Sequence, residues 1–231
     1  KGFQTDPGGA VDVSLYEAGV RYQGHGLTGS VTIFRTEFNN QGYGFFDATN
    51  PTLQGDFRAD LKTDGIEIDL NYRPVKWFVI AAVGVFQNPS LTNARLGRAP
   101  VGGSAVVFTP VPQFNGNTPE RTPKQLWTIT PTFFLPKNLG EVYGRYKYIG
   151  RIFADPNNGL PLPGYGVTSA GFTLNITPRL QFGGSVDNLF SVTGITEGNP
   201  RQGLSQTATS GFFYGRGIVG VTYAGSVTFK F

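Results

Sequence analysis

The chain contains no cysteine and no methionine, only one histidine, and few charges, with Asp, Glu, Lys and Arg making up 15% of its 231 residues. Without cysteine there is no disulfide framework and no thiolate metal site. The lone histidine, His25 in Gln23-Gly24-His25-Gly26, has no partner ligands nearby and reads as a solvated turn residue. Serines and carboxylates are present, but a nucleophilic triad lacks a second histidine to serve as its base. Gly24-His25-Gly26 and Gly102-Gly103-Ser104 are followed by no helical pattern, which argues against phosphate loops. No apolar run approaches the roughly 18 residues of a membrane-spanning helix. The net charge of +4 is scattered rather than clustered, so no nucleic-acid partner is implied. These absences point away from an enzyme, a cofactor or a metal. The missing methionine and the start at Lys1, with no signal-like segment, suggest a processed product or a piece of something longer.

What is abundant is glycine, 33 residues, and aromatics, 14%. The segment Ile218–Phe231 alternates strictly, with Val219, Val221, Tyr223, Val227, Phe229 and Phe231 on odd positions and Thr222, Thr228 and Lys230 among the even ones. A period of two makes this a strand with one apolar and one polar face. It stops on an aromatic residue, as the last strand of an outer-membrane barrel usually does.

The same alternation recurs in about nine segments, longer than the ~5–6 residues of ordinary strands and matching the ~9–11 of membrane-spanning ones. They are Val13–Gln23, Leu27–Phe38, Thr63–Arg73, Lys76–Gln87, Lys124–Leu135, Leu139–Gly150, Tyr165–Ile176, Arg179–Leu189 and Arg216–Phe231. In the first, Tyr16, Ala18, Val20 and Tyr22 oppose Glu17 and Arg21. In the third, Ile66, Ile68, Leu70 and Tyr72 oppose Glu67, Asp69 and Asn71. In the sixth, Val142, Tyr146 and Tyr148 oppose Glu141, Arg145 and Lys147. The fourth is apolar on both faces, so its register is not readable, and Pro131 in the fifth predicts a bulge or local distortion. Aromatics near strand ends (Tyr16, Tyr22, Tyr72, Trp77, Trp127, Phe133, Phe190, Tyr223) are candidates for interfacial girdles.

The connections alternate in length. Gly24–Gly26, Pro74–Val75, Pro136–Asn138 and Thr177–Pro178 are short. Asn39–Lys62, Asn88–Pro123, Arg151–Gly164 and Phe190–Gly215 are long. In an up-and-down barrel this puts all short turns on one rim and all long loops on the other, the bacterial outer-membrane pattern. Greek-key sandwiches have no reason to sort loops this way. The reading is therefore all-β, an antiparallel transmembrane up-and-down β-barrel. The strand count is odd, whereas closed bacterial barrels use even numbers, so the barrel's beginning is expected to be missing.

Several motifs bear a family resemblance. Tyr16-Glu17-Ala18-Gly19-Val20-Arg21-Tyr22 and Gly65–Pro74 resemble strands of TonB-dependent receptors. Arg121-Thr122-Pro123-Lys124 resembles a strand entry of that family, and Phe153–Asn158 with Leu162–Tyr165 resembles one of its loops. Val186-Asp187-Asn188-Leu189-Phe190 and Gly194–Arg201 are similar to two further family segments. Together, in the family's order, they span about residues 14–231. The resemblance implies that the chain, 1–231, is the C-terminal portion of a plugged barrel of ~22 strands, without the plug or the segment that engages TonB. It implies import of a scarce nutrient, such as a ferric siderophore, across the outer membrane of a Gram-negative bacterium. The partners would be outer-membrane lipid, the N-terminal strands and plug of the same receptor, the TonB complex, the barrel assembly machinery and a small-molecule ligand.

Within that frame Glu17, Arg21, Glu67, Asp69, Glu141, Arg145, Lys147, Asp187 and Lys230 are expected to face the lumen, where charge must meet water or a polar plug. The long loops are expected to carry recognition, with Arg151, Asp155, Asn157, Glu197, Asn199 and Arg201 as polar ligand candidates and Tyr43, Phe45, Phe46 and Phe108 as aromatic ones. The competing role for the Asp and Asn residues is to hold turns. Tyr223, Val227, Phe229 and Phe231 form the expected assembly signal. Alternatives are a half-barrel that needs a partner chain, since open strand edges cannot face lipid, and a soluble β-sandwich or adhesin domain.

Overall fold

The computed structural model describes residues 11–46, 54–98, 107–199 and 214–230. In chain order the elements are β1 (Asp12–Gly24), β2 (Leu27–Phe46), β3 (Gln54–Val75), β4 (Phe78–Arg98), β5 (Val107–Pro110), β6 (Gln125–Leu135), β7 (Gly140–Ile149), β8 (Ile152–Phe153), β9 (Pro161–Leu162), β10 (Tyr165–Asn175), β11 (Leu180–Asp187), β12 (Ile195–Asn199), β13 (Tyr214–Gly217) and β14 (Thr222–Phe229). Two short 3-10 turns, Pro112–Phe114 and Pro136–Asn138, lie between strands. The main sheet runs β1-β2-β3-β4-β6-β7-β10-β11-β14, each strand antiparallel to the next, with β5 folded back on β4. This is the meander of a partial up-and-down barrel. It is one continuous sheet, not two sheets facing each other as in a sandwich.

The register sorts the side chains. Paired residues share a face, and one face carries an apolar band across the whole sheet: Tyr16–Tyr22 on β1, Ile66–Tyr72 on β3, Trp127–Phe133 on β6, Val142–Tyr148 on β7 and Tyr223–Phe229 on β14, taking alternate residues. Many of these side chains are exposed, Val20 at 74% and Tyr223 at 81%. That much apolar surface on one face is the signature of a surface that meets something other than water.

The band is not level with the hydrogen-bonded rows. Tyr22, its lower limit on β1, is in register with Leu70, Ala82, Ile129 and Tyr146, yet on β6 the band continues from Ile129 to Phe133. Phe133 is in turn in register with Val142, Phe172, Gly184 and Gly225, yet on β14 the band continues to Phe229. The drift is therefore about one residue per strand, which at a rise of ~3.3 Å and a spacing of ~4.8 Å gives a tilt of ~35°. Closed membrane barrels tilt by ~35–45°.

The short turns lie at one end of the strands. His25 (φ 50°) and Gly26 (φ 76°) make the two-residue β1–β2 turn, with both positions in the left-handed region that such hairpins require. The β3–β4 turn falls at Lys76–Trp77, not at Pro74–Val75, because Val75 still pairs with Phe78 across a register shift. Trp77 then stacks on Phe133 at 6.2 Å. Thr177 Oγ1 accepts from the Arg179 and Leu180 amides to shape the β10–β11 turn.

One further expectation is narrowed and three are corrected. Of the two outcomes expected at Pro131, the local distortion is found and the bulge is not: the β6 register with β4 and β7 keeps its phase, while the ladder to β7 is interrupted at 130 and 131, as a missing donor would produce. The eighth strand ends at Asp187, because Asn188 turns to φ 51° and its side chain caps the loop, accepting from Val192 N and donating to Val192 O and Val219 O. The ninth is two strands, since Arg216 and Gly217 pair with β12 while only Thr222–Phe229 joins the barrel sheet. Finally, β2, β3 and β4 run well past the membrane-length segments, so much of the expected Asn39–Lys62 and Asn88–Pro123 loops is strand.

Candidate functional site

The long connections fold into two small packed bodies on the rim opposite the short turns. In the first, the extensions of β3 and β4 place Phe57, Ala59, Leu91 and Ala94 on one face, and the turn after β5 covers them with Phe114. The Phe57 and Phe114 rings lie 5.1 Å apart. Polar contacts pin this cover: Asn115 Oδ1 accepts from Ala94 N at 3.0 Å, and Leu91 exchanges backbone bonds with Asn117 and Gly116. On the other face Arg58 and Arg95 are cross-strand partners. Both donate to Asn40 Oδ1 and lie over the Phe108 ring, at 4.9 and 6.0 Å. Asp60 accepts from Asn40 N at 2.8 Å and from Asn93 Nδ2 at 2.6 Å.

The second body is built on the β8–β9 hairpin, whose Ile152, Ala154 and Leu162 pack with Leu160 and Ile195. Asp155 is fully buried and accepts from Gly159 N at 3.2 Å and Leu160 N at 3.0 Å. Asn158, at φ 58°, uses its side chain as a backbone would: Oδ1 accepts from Thr118 N at 2.8 Å and Nδ2 donates to Thr118 O at 2.7 Å. Asn117 Nδ2 donates to Pro156 O, and Arg121 N to Phe153 O, both at 2.9 Å. The segment before β6 is thus stitched to the β7–β10 loop.

Glu197 on β12 ties in the fourth long loop. It is paired with Arg121 at 3.4 Å and with Arg216 at 2.9 Å, and it keeps little exposure. Arg121 also pairs with Glu120. Burial pushes the Glu120 carboxyl above the usual carboxylate range. Arg121 pulls it back in part, while Asp155 and Glu197 push it further up. For Arg121, burial works to lower its pKa, but the bond to Glu120 and the charges of Glu120 and Glu197 outweigh it and the net shift is upward. Among the described residues no group of three or more His, Asp or Glu could hold a metal.

The loop candidates separate into two kinds. Asp155 and Glu197 are buried and hold loops together, the turn-holding role that competes with direct ligand contact. Arg151 and Asn157 are exposed, with the Arg151 guanidinium 5.2 Å from the centre of the Phe153 ring. The Asn199 backbone pairs with Tyr214 at the end of β12, but its side chain lies outside the described residues, as do Arg201 and the side chains of Tyr43, Phe45 and Phe46. Arg121, Glu120 and Thr118 were not among the expected site residues. Nothing in the alternation marks them, since they lie in a loop and act through partners distant in sequence.

The charged residues expected in the lumen all lie on the face opposite the apolar band: Glu17 and Arg21 on β1, Glu67 and Asp69 on β3, Glu141, Arg145 and Lys147 on β7, Asp187 on β11, and Lys230 just past β14. Among the described residues they make no ion pair; Asp187 accepts from Ser169 Oγ, and the Arg145 guanidinium lies 5.8 Å from the Tyr143 ring. Tyr223, Val227 and Phe229 lie together on the apolar face of β14, and Phe231 lies outside the described residues.

Comparison with known proteins agrees with this geometry. A family model described as "TonB dependent receptor-like, beta-barrel" matches residues 14–189. No curated protein sequence matches the chain. Among solved structures, the siderophore receptor PiuA from Acinetobacter baumannii is similar with a TM-score of 0.68 at 22% identity, covering 95% of this chain and 28% of that one. The ferric yersiniabactin uptake receptor FyuA from Yersinia pestis gives 0.68 at 16%, covering 96% and 30%. The copper transporter OprC gives 0.67 at 14%, covering 96% and 31%. The chain therefore spans under a third of the length of these receptors. At these identities the likeness speaks for the fold, and the match over residues 14–189 speaks for the family. The chain belongs to the TonB-dependent receptor-like β-barrel family.

Proposed function

We propose that residues 1–231 form the C-terminal wall of a plugged outer-membrane receptor that imports a scarce nutrient, such as a ferric siderophore, in a Gram-negative bacterium. The observation that carries this reading is the continuous apolar band, tilted by ~35° as in a membrane barrel and backed by a face that bears the charges. The band meets lipid. The opposite face, with Glu17, Arg21, Glu67, Asp69, Glu141, Arg145, Lys147, Asp187 and Lys230, lines the lumen and contacts a plug. The titles of the similar structures name siderophore receptors and a copper transporter, which supports nutrient capture as the class and leaves the ligand to experiment.

In this reading the rim bodies are the recognition scaffold. Asp155 and Glu197 set the loop shapes, while Arg151, Asn157, Asn199 and Arg201 are the side chains offered to the ligand. TonB, acting on the plug, supplies the pull, and the β14 face ending at Phe231 is the signal read by the assembly machinery. The test is uptake of radiolabelled ferric siderophores and copper by cells carrying the full receptor, with and without TonB. Uptake lost without TonB is expected, and uptake that persists overturns the proposal.

A further inference from the structure

The two ends of the sheet carry their charge differently. At the long-loop end cations meet carboxylates: Arg35 pairs with Asp64, Lys62 with Glu37, and Arg121 and Arg216 both with Glu197. At the short-turn end each of the four turns holds one basic residue, His25, Lys76, Lys137 or Arg179, and none holds a carboxylate. Lys76, Lys137 and Arg179 are exposed, and among the described residues they make no ion pair. Arg73, Lys230 and the carboxylate of Glu141 also lie near this end, but on the lumen face of their strands.

The three cations border the apolar band. Lys76 precedes Trp77, which is 58% exposed and stacks on Phe133, the band's lower limit on β6. Arg73 donates to Lys76 O at 2.7 Å and so holds that turn. Arg179 O accepts from Lys230 N, one residue past Phe229, the band's limit on β14. Lys137 stands at φ 55° in the turn that also bears the exposed Leu139. Successive turns are two strand spacings apart, ~10 Å, so the cations form a row along the edge of the band. Like charges in a row repel, and no described residue neutralises them. The complementary surface must carry negative charge at the edge of an apolar layer. An anionic phospholipid has that chemistry. Its acyl chains lie along the band, its phosphodiester meets the turns, and the Lys and Arg stems cover the apolar edge between them.

We propose that the short-turn rim is a headgroup-selective site for anionic phospholipid, with Lys76, Lys137 and Arg179 as its cationic contacts; this rests on the membrane-wall reading above. The test places the full receptor in vesicles of phosphatidylcholine and phosphatidylglycerol, with one or the other lipid brominated on its acyl chains. A bimane fluorophore on Leu139→Cys reports the lipid at the rim. The same fluorophore on Tyr16→Cys reports the lipid at the opposite edge of the band. Both leaflets have the same composition, so the direction of insertion does not affect the result.

Each Lys or Arg near an anionic surface favours association by about 5-fold. Quenching at Leu139→Cys should therefore show a preference for phosphatidylglycerol of at least that size, with little preference at Tyr16→Cys. Combining Lys76→Gln, Lys137→Asn and Arg179→Gln should remove it; asparagine suits the left-handed backbone at 137. If the triple variant lacks the heat-dependent gel mobility of a folded barrel, about 1 M salt applied to the unsubstituted rim takes its place, because it shortens the screening length to ~3 Å and should erase the preference. Equal preference at both edges, no preference at either, or a preference that survives loss of the cations or added salt overturns the site and leaves the barrel standing. Absence of quenching by either lipid at either position overturns the membrane wall as well. Binding to purified peptidoglycan that the triple variant loses, without a lipid preference, overturns the lipid assignment in favour of the cell wall.

Discussion

Replacing Ile68 by Arg tests the assignment of faces. Ile68 lies on β3 between Val31 and Gly84, inside a band that runs from Ile66 to Tyr72. At a rise of ~3.3 Å and a tilt of ~35°, Ile68 sits within ~3 Å of the band's midplane and Tyr72 ~8 Å from it. An Arg on the lipid face at the midplane costs ~2–4 kcal/mol, falling to ~0–1 near the interface. Ile68→Arg should therefore shift the folding equilibrium by roughly 30- to 700-fold, and Tyr72→Arg by much less. Asp69→Arg, one residue along but on the opposite face, replaces one lumen charge by another and should fall well below Ile68→Arg. The assay is urea unfolding of the full receptor in lipid vesicles, followed by tryptophan fluorescence and heat-dependent gel mobility. An Asp69→Arg cost as large as that of Ile68→Arg refutes the assignment of faces.

Gly140→Ala should prevent β7 from pairing normally: Gly140 has φ 131°, and an added Cβ would lie 1.8 Å from Thr173 O, so folding yield in vesicles should collapse. Arg121→Ala leaves Glu120 and Glu197 without a shared guanidinium, a loss of about 1–3 kcal/mol for the loop body; limited proteolysis should cut the 111–124 segment faster, with barrel mobility on gels unchanged. The folded loop holds the Glu120 carboxyl above its ordinary range, so its contribution is complete below the ordinary carboxylate value and is lost as pH rises through the raised value. Hydrogen exchange of the Arg121 amide, corrected for intrinsic rate, should show a tighter loop at pH ~5 than at ~7.5, and Glu120→Gln should abolish the difference.

The barrel wall was legible because a strand with lipid on one side and protein or water on the other must alternate. Gly65–Arg73 carries that pattern without a break, and its faces in the sheet are those its residues announce. Legibility ended where the two environments became alike. Val79–Val85 is apolar on both faces and yields no phase until Phe78 and Phe86 are paired with Phe133 and Gln125. The extensions of β3 and β4 beyond the band pack against a loop, so Phe57 and Leu91 reveal a strand only through Phe114. The split of Arg216–Phe231 is hidden because Val219 and Val221 keep the alternation running through a segment whose partner has changed. At the rim, Asp155 and Glu197 were visible as polar loop residues, but their burial depends on Gly159, Leu160, Arg121 and Arg216, contacts that local spacing does not encode.

The most direct test of the membrane-wall reading is a single-cysteine spin-label scan along 65–73 of the full receptor in lipid vesicles, measuring collision with oxygen dissolved in lipid. The account predicts a period of two, with high accessibility at Ile66, Ile68, Leu70 and Tyr72 and low accessibility at Glu67, Asp69 and Asn71. A flat profile, or the same period with the opposite phase, contradicts it.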